Sequence, residues 1–561
     1  MKNILLSTLL LIYMFPVMSQ DRTGSVSSVI NSIIEVDDTE RIKKVANEDL
    51  FSSVVIRKFY SDRTFFPAWS DGDVFPELAY EMRYEIKQVQ FDGLNPEDYH
   101  LGAIDLLFEK YERSKKGKAE FLVHDYASLD VLLTDAYIII SSHLYLGKID
   151  PENLKSSWDI QRSAPELKID ERLHEAILQH SIRKSLEELY PSFQVYKKMR
   201  DALRFLYDDL ARWQSESSAN WKKLKVDKSI KVGDSYNQLD QVKERLRFWG
   251  YLEDLPLESS KVYDSLLVPA ITKLQIRHGM EPDGVIGQGT IHALNQTPDD
   301  LIETARVNME RFRWLPRDVK DQEVILVNTA NFQLDYISKR DTILSSKVIV
   351  GKSYHATPQF SAEMSYMVFS PTWTIPNSIT RNEIIPAVKK DIGYLNSKNM
   401  KVLTSDGKEV DPQSIDWQKA NGKNFPYLVR QEPGEQNSLG LVKFMFPNKH
   451  SVYIHDTPAR SLFAREDRAL SHGCIRIQRP VDFAKVLLKH DSAWTDEKIK
   501  ESMNKSKEVI VKLDRKIPVV ILYMTFWSDS RGNNFFRKDI YERDNEILLA
   551  LKQTRGKKSG V

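Results

Sequence analysis

The sequence predicts an α+β multidomain chain, and three observations carry that expectation. The first 300 or so residues place apolar side chains at intervals of three and four, the helical period. From about Glu323 the texture changes to short β-branched runs bounded by Gly, Pro and Asn. A length of 561 residues exceeds what one core usually organises and suggests three or four units. Charge is plentiful but balanced, 80 basic against 79 acidic residues, so global charge supplies no reason for a nucleic-acid partner.

Lys2 followed by an apolar run over residues 4–17 reads as a signal peptide spanning 1–19, cleaved after Ser19. The run is shorter than the ~20 residues that span a bilayer, which favours cleavage over an uncleaved anchor. No other segment reads as membrane-spanning. Residues 25–230 read as a helical region, in which Leu129, Leu132, Leu133, Ala136, Ile140 and His143 mark one buried helix face. Asp92-Gly93 and Gly147 begin turns that end such helices. Tyr60, Phe65, Phe66 and Trp69 suit core packing better than a glycan groove.

Residues 236–297 form a compact helical unit. Leu239, Val242, Leu246 and Trp249 lie on one helix that stops at Gly250. Leu267, Ala270, Ile271, Leu274 and Ile276 lie on a second, and a short third helix covers 290–294. Strands are expected at 324–327, 344–350, 366–369, 441–446, 452–454 and 518–525, within a strand-rich domain over 323–526. Inside it, 380–390 reads helical despite Pro386, and 400–424 reads polar and irregular. An interruption of that length suggests a functional insertion, such as a lid over 377–430. Residues 527–561 form a C-terminal extension with a basic, solvated end.

Chemistry concentrates at one cysteine. Cys474, the chain's only cysteine, lies in Ser471-His472-Gly473-Cys474-Ile475-Arg476, and His455 precedes it by 19 positions in Tyr453-Ile454-His455-Asp456-Thr457-Pro458. A lone cysteine in an exported chain is either an inert hydrophobe or a reactive thiol, and Gly473 with two nearby histidines favours the second. A free thiol has a pKa near 8.5, so attack on a carbonyl carbon at neutral pH calls for an imidazole to take its proton. Backbone N–H groups near Gly473 are candidates to stabilise the developing oxyanion. Spacing alone leaves His455 and His472 both eligible as the base. A zinc site from His455, Asp456, His472 and Cys474 lacks any short ligand pair and is disfavoured.

These motifs resemble the L,D-transpeptidase active site. The likeness extends to Gly351 with Thr357-Pro358, to Trp373-Thr374-Ile375-Pro376, to residues 431–437 and to residues 443–448. The small unit is similar to the three-helix peptidoglycan-binding domain through Leu274-Gln275, Asp283-Gly284, Gly287, Thr290 and Leu294-Asn295. The order of the parts resembles the large periplasmic branch of the family. The resemblance implies a β-sandwich catalytic domain with an inserted lid. In it Cys474 is the nucleophile and His455 the proton donor and acceptor, held by a backbone carbonyl. Gly473 and Cys474 amides with the region of Tyr453 match the oxyanion hole. Arg476 and Trp373 match substrate-facing positions, while Asp456, Ser471 and His472 support from behind.

The reaction so implied has two acyl transfers. Cys474 attacks the bond between the third stem residue and D-alanine, and a second stem's amine then resolves the thioester into a 3→3 cross-link. Water in place of the amine gives carboxypeptidase or endopeptidase activity, and a non-catalytic wall-binding scaffold is the reading outside enzymes. The implied partners are peptidoglycan stem peptides and glycan, with cell-wall synthesis proteins as further ones. Neither a metal nor a cofactor is implied. A carbapenem, offering a strained amide and a carboxylate, is expected to acylate the same cysteine.

Overall fold

A computed structural model describes residues 25–35, 44–155, 158–160, 166–218, 221–253, 260–317, 323–339, 341–421 and 424–553. The segment read as a signal peptide and the basic end beyond 553 lie outside these residues.

The N-terminal region is helical and is organised around one helix, Val123–Leu146. Sequence spacing predicts one buried face, whereas the helix is buried almost all round. The reason is its central place: helices Ser53–Asp62, Glu77–Gln88, Leu101–Lys115 and Ile169–Leu178 all pack on it. By length and composition it is apolar enough to cross a membrane, a signal the sequence reading did not register, yet 83% of its apolar window is buried inside the protein. Its few polar side chains serve as anchors for loops. Asp130 accepts from the amides of Ala68 and Trp69 at 2.9 and 2.8 Å and from Tyr60 Oη at 2.7 Å. Asp135 accepts from the Ser52 amide at 2.9 Å and pairs with His100 at 2.8 Å. Tyr60 and Trp69 are therefore core residues, while Phe66 stays exposed.

The small unit has its own core, which begins before residue 236, at Leu224, and runs through Val242, Leu246, Ile271, Leu274 and Leu294. Its helices are Leu239–Phe248, Val268–Arg277 and Gln288–Asn295. Ile276, expected on the buried face, is about half exposed, because that face is filled by Ala270, Ile271 and Leu274. The motif residues close the fold. Gln275 Nε2 donates to Asp283 Oδ1 and Val285 O, its Oε1 accepts from the Gly284 amide, and Asn295 exchanges two hydrogen bonds with the Leu224 backbone.

A helix that the sequence reading passed over, Pro298–Arg313, joins the parts. Thr297 and Asp300 cap it reciprocally. Its buried polar residues reach two ways: Arg313 to the Asp92 carbonyl and Tyr196, and Asn308 and Arg311 to Thr525 and Asp544. Helix Asp544–Lys552 of the C-terminal extension packs back against it.

The strand-rich domain follows from residue 323. Strands Val324–Asn328, Gln333–Ser338 and Asp341–Gly351 form a meander. Asp341–Gly351 pairs with Ile475–Ile477, which pairs in parallel with Ile454–His455. That strand leads through Val442–Met445 to Gln359–Phe369. The long strand Val509–Leu522 pairs with both Gln359–Phe369 and Val324–Asn328. The expected sandwich is thus, in hydrogen-bonding terms, one sheet closed upon itself. Its interior holds Leu334, Val348, Phe360, Phe444, Ile454, Ile475 and Ile521.

Residues 373–431 depart from the expectation of an irregular insertion. They build a second sheet, in the order Trp373–Thr374, Leu428–Gln431, Met400–Leu403, Glu409–Val410, over a separate core of Ile384, Val388, Leu395, Val402, Trp417 and Val429. The polar texture of 400–424 reflects strands that are short and covered on one side. Pro386 sits at the first turn of helix Ile385–Lys390, where its missing N–H costs nothing, and the wider turn Thr380–Ile384 precedes it.

Candidate active site

Parallel pairing places Ile454 opposite Ile475 and His455 opposite Arg476, and the Ile475 amide donates to the Tyr453 carbonyl at 3.1 Å. Ile454, Ile475 and Ile477 are all in the interior. Side chains alternate along a strand, so Tyr453, His455, Cys474 and Arg476 share the opposite face. Two segments 19 residues apart in sequence are thereby made neighbours by backbone hydrogen bonds.

His455 is buried, and its Nδ1 lies 2.6 Å from the Asp456 carbonyl oxygen. A carbonyl can only accept, so Nδ1 carries the proton; the Leu439 backbone also hydrogen-bonds the ring, and Nε2 is the candidate base. Burial, reinforced by the Arg476 charge, pushes the imidazole pKa down to about 3. Burial also raises the Cys474 thiol, against the opposing pull of Tyr453 and Arg476. Thiol and imidazole are therefore both neutral at rest. The sulfur sits 3.8 Å from the Ser451 carbonyl, and Ser451 itself has φ +55°. Tyr453 reaches both Cys474 and Trp373 with its side chain.

Asp456 acts as a bracket. Its carboxylate accepts from the amides of Leu441 at 2.9 Å and Thr457 at 2.6 Å and pairs with Arg460. Gly440 makes room for it: at φ +64°, a Cβ there would come within 2.4 Å of the Asp456 carboxyl carbon. The cysteine turn is held the same way. Ser471 Oγ donates to the Cys474 carbonyl at 2.6 Å and accepts from the Gly473 amide at 3.1 Å. Gly473, at φ +118°, adopts a backbone that suits glycine. Its carbonyl accepts from Thr357 Oγ1 at 2.9 Å, and that hydroxyl also receives the Gly351 amide. Tyr541 of the C-terminal extension donates to the Gly351 carbonyl at 2.7 Å. The extension thus buttresses the site, a role with no sequence signature.

The Gly473 amide, expected to face an oxyanion, is already engaged with Ser471. Arg476 is largely buried, and its Nε finds no hydrogen-bond partner among the described residues. Trp373 opens the second sheet, half-buried. His472 pairs at 2.9 Å with Glu383 of the turn Thr380–Ile384, and its ring lies 5.7 Å from that of His355. Sequence reasoning missed Glu383, Arg460 and Asp159. Asp159 is the most remote: it belongs to the helical region, yet it pairs with Lys449 at 3.0 Å and His450 at 2.9 Å. Those residues immediately precede Ser451, whose carbonyl meets the thiol. Strand Trp158–Asp159 pairs in parallel with Gln359 and Phe360 and so brings Asp159 there.

Comparison with known proteins divides the chain in the same order. Residues 322–511 match the family model "L,D-transpeptidase catalytic domain", 235–294 match "Putative peptidoglycan binding domain", and 55–203 match "Scaffold domain". A curated Haemophilus influenzae protein described as "Putative L,D-transpeptidase" is 35% identical over 251 residues, covering 45% of this chain. The chain spans 50% of that relative's length. Among solved structures, an L,D-transpeptidase from Stackebrandtia nassauensis matches at 13% identity and TM-score 0.20, covering 52% of this chain and 94% of its own. One from Xylanimonas cellulosilytica matches at 11% and 0.16, covering 53% and 100%.

Proposed function

Because residues 322–511 match the L,D-transpeptidase catalytic domain model and 235–294 match the peptidoglycan-binding one, we propose that this protein is a cysteine acyltransferase of the cell wall. It acts outside the cytoplasm and joins peptidoglycan stem peptides through 3→3 cross-links. The observation that carries this reading is the neutral pair: His455, with Nε2 as the candidate base, on the same face as the protonated Cys474. A preformed thiolate–imidazolium pair is not needed. As the donor carbonyl arrives, Nε2 takes the thiol proton while sulfur attacks the carbon. The Cys474 amide and the Tyr453 hydroxyl are the proposed oxyanion donors, since the Gly473 amide is engaged. The tetrahedral intermediate expels D-alanine, whose amine receives the proton from His455. Arg476, with its unpartnered Nε, pairs with a donor carboxylate.

The second sheet and its core, residues 373–431, support the reading of this segment as a lid that excludes water and favours transfer over hydrolysis. The test is to incubate the purified protein with tetrapeptide-bearing wall fragments and identify products by mass spectrometry. Cross-linked dimers with release of D-alanine support the proposal, whereas tripeptides alone would make it a carboxypeptidase. A carbapenem should add one acyl group per chain on the peptide containing Cys474. A label on another residue would overturn the nucleophile.

A further inference from the structure

Transfer needs a second substrate, and the acceptor brings a difficulty that the donor does not. A primary alkyl amine has a pKa of about 10.4, so it arrives at neutral pH as an ammonium ion. It must be drawn to a site where Arg476 is cationic, His455 is neutral and the Asp456 carboxylate is already taken by Arg460. Among the described residues, a half-exposed anion lies beside the cysteine turn. Glu383, carried by Thr380–Ile384 of the second sheet's subdomain, holds His472 at 2.9 Å, two residues before Cys474.

The two members of this pair differ from His455 in exposure. The side chains of Glu383 and His472 are 52% and 39% exposed, whereas His455 is buried. A charged amine can approach the first pair from solvent but not the second. Glu383 also lies within the field of Arg476. When a carboxylate of the acyl part that stays on Cys474 occupies Arg476, that partner is taken away from Glu383, whose carboxylate keeps only His472 and can take a new cation. Donor first and acceptor second is the order that a double-displacement reaction requires. His355, 5.7 Å from the His472 ring, and the backbone of the cysteine turn complete the surroundings.

We propose that Glu383, oriented by His472, recognises the acceptor ammonium and delivers it to the Cys474 thioester. This rests on the acyltransferase reading above. In the step itself the ammonium gives one proton to the Glu383–His472 pair, which passes it to solvent. The amine nitrogen forms the new bond to the acyl carbon, and the carbon–sulfur bond breaks with its electron pair returning to sulfur. The second nitrogen proton passes through His455 to the thiolate. The products are an amide, the free thiol and one proton released.

The test uses the full chain with a tetrapeptide donor and two acceptors, an alkyl amine charged at the assay pH and a weakly basic amine that is neutral there. Glu383→Gln should raise KM for the charged acceptor about ten-fold or more, the size of one charge-assisted hydrogen bond, with a much smaller change in kcat. Glu383→Asp should recover part of that loss. For the neutral acceptor, Glu383→Gln and the native protein should agree within about two-fold. Equal losses with both acceptors would make Glu383 a structural prop of the subdomain and overturn the proposal. So would a KM for the charged acceptor that moves less than about two-fold. Carbapenem labelling of the native protein separates the two readings: no adduct on Cys474 refutes the acyltransferase itself, and a normal adduct with an unchanged acceptor KM refutes only the role of Glu383.

Discussion

At His455 burial and the Arg476 guanidinium act in one direction, against proton binding, while the Asp456 carbonyl fixes the proton on Nδ1. The folded pKa, about 3, is below the ordinary histidine value of about 6.5. The acid limb of kcat/KM should accordingly fall well below pH 6, and a limb centred near 6.5 would show that another group is the base. The same shift has a stability consequence. Its contribution is complete above the unfolded pKa and is lost as pH falls from about 6.5 toward the folded value, which pH-dependent thermal melts can follow. Cys474→Ala should abolish acylation with Tm nearly unchanged. Gly440→Ala should lower kcat at least about ten-fold, because a methyl group displaces the Asp456 bracket that aims His455. Native turnover in that variant would show that the bracket is dispensable.

Among the elements, the strand that ends in His455 was legible as a β-run, whereas the strand Ile475–Ile477 after Cys474 was legible only as part of a motif, and their parallel pairing was not legible at all. Periodicity reports which face is buried, not which strand is adjacent. Spacing left His455 and His472 equal. Burial distinguishes them, since one is enclosed beside a carbonyl and the other faces Glu383. The insertion at 373–431 was visible as an interruption, yet its short strands were not, because they contribute to a small core rather than to a long alternating face. The helix Pro298–Arg313 had a readable capping signal in Thr297 and Asp300, but its buried polar residues masked the apolar pattern. Shortening the 373–431 subdomain should raise hydrolysis relative to cross-linking in product analysis. An unchanged ratio in a folded variant would remove its role in excluding water.

At the scale of the whole molecule the parts are not beads on a string. Leu301, Met309 and Phe312 of the joining helix share one core with the helical region and with Val324, Val520, Leu522, Met524 and Phe526 of the strand-rich domain. A fragment limited to residues 323–526 would expose that apolar surface, and it should aggregate where the full chain is monodisperse in light scattering. Asp159 links the helical region to the thiol's own loop. Asp159→Asn should slow carbapenem acylation of Cys474 several-fold while leaving Tm within about 2 °C, since an ion pair this exposed contributes little to stability. An unaltered acylation rate would show that the contact does not steer the loop.

The protonated state of the half-buried Cys474 also bears on durability. Thiolates, far more readily than thiols, attack peroxides and disulfides, and a sulfenic acid at Cys474 would have no second thiol in this sequence to resolve it. A sulfur that keeps its proton until a substrate carbonyl meets Nε2 of His455 is a poor target for such oxidants. An arrangement that defers activation to the moment of acylation would therefore also spare a single nucleophile from oxidation.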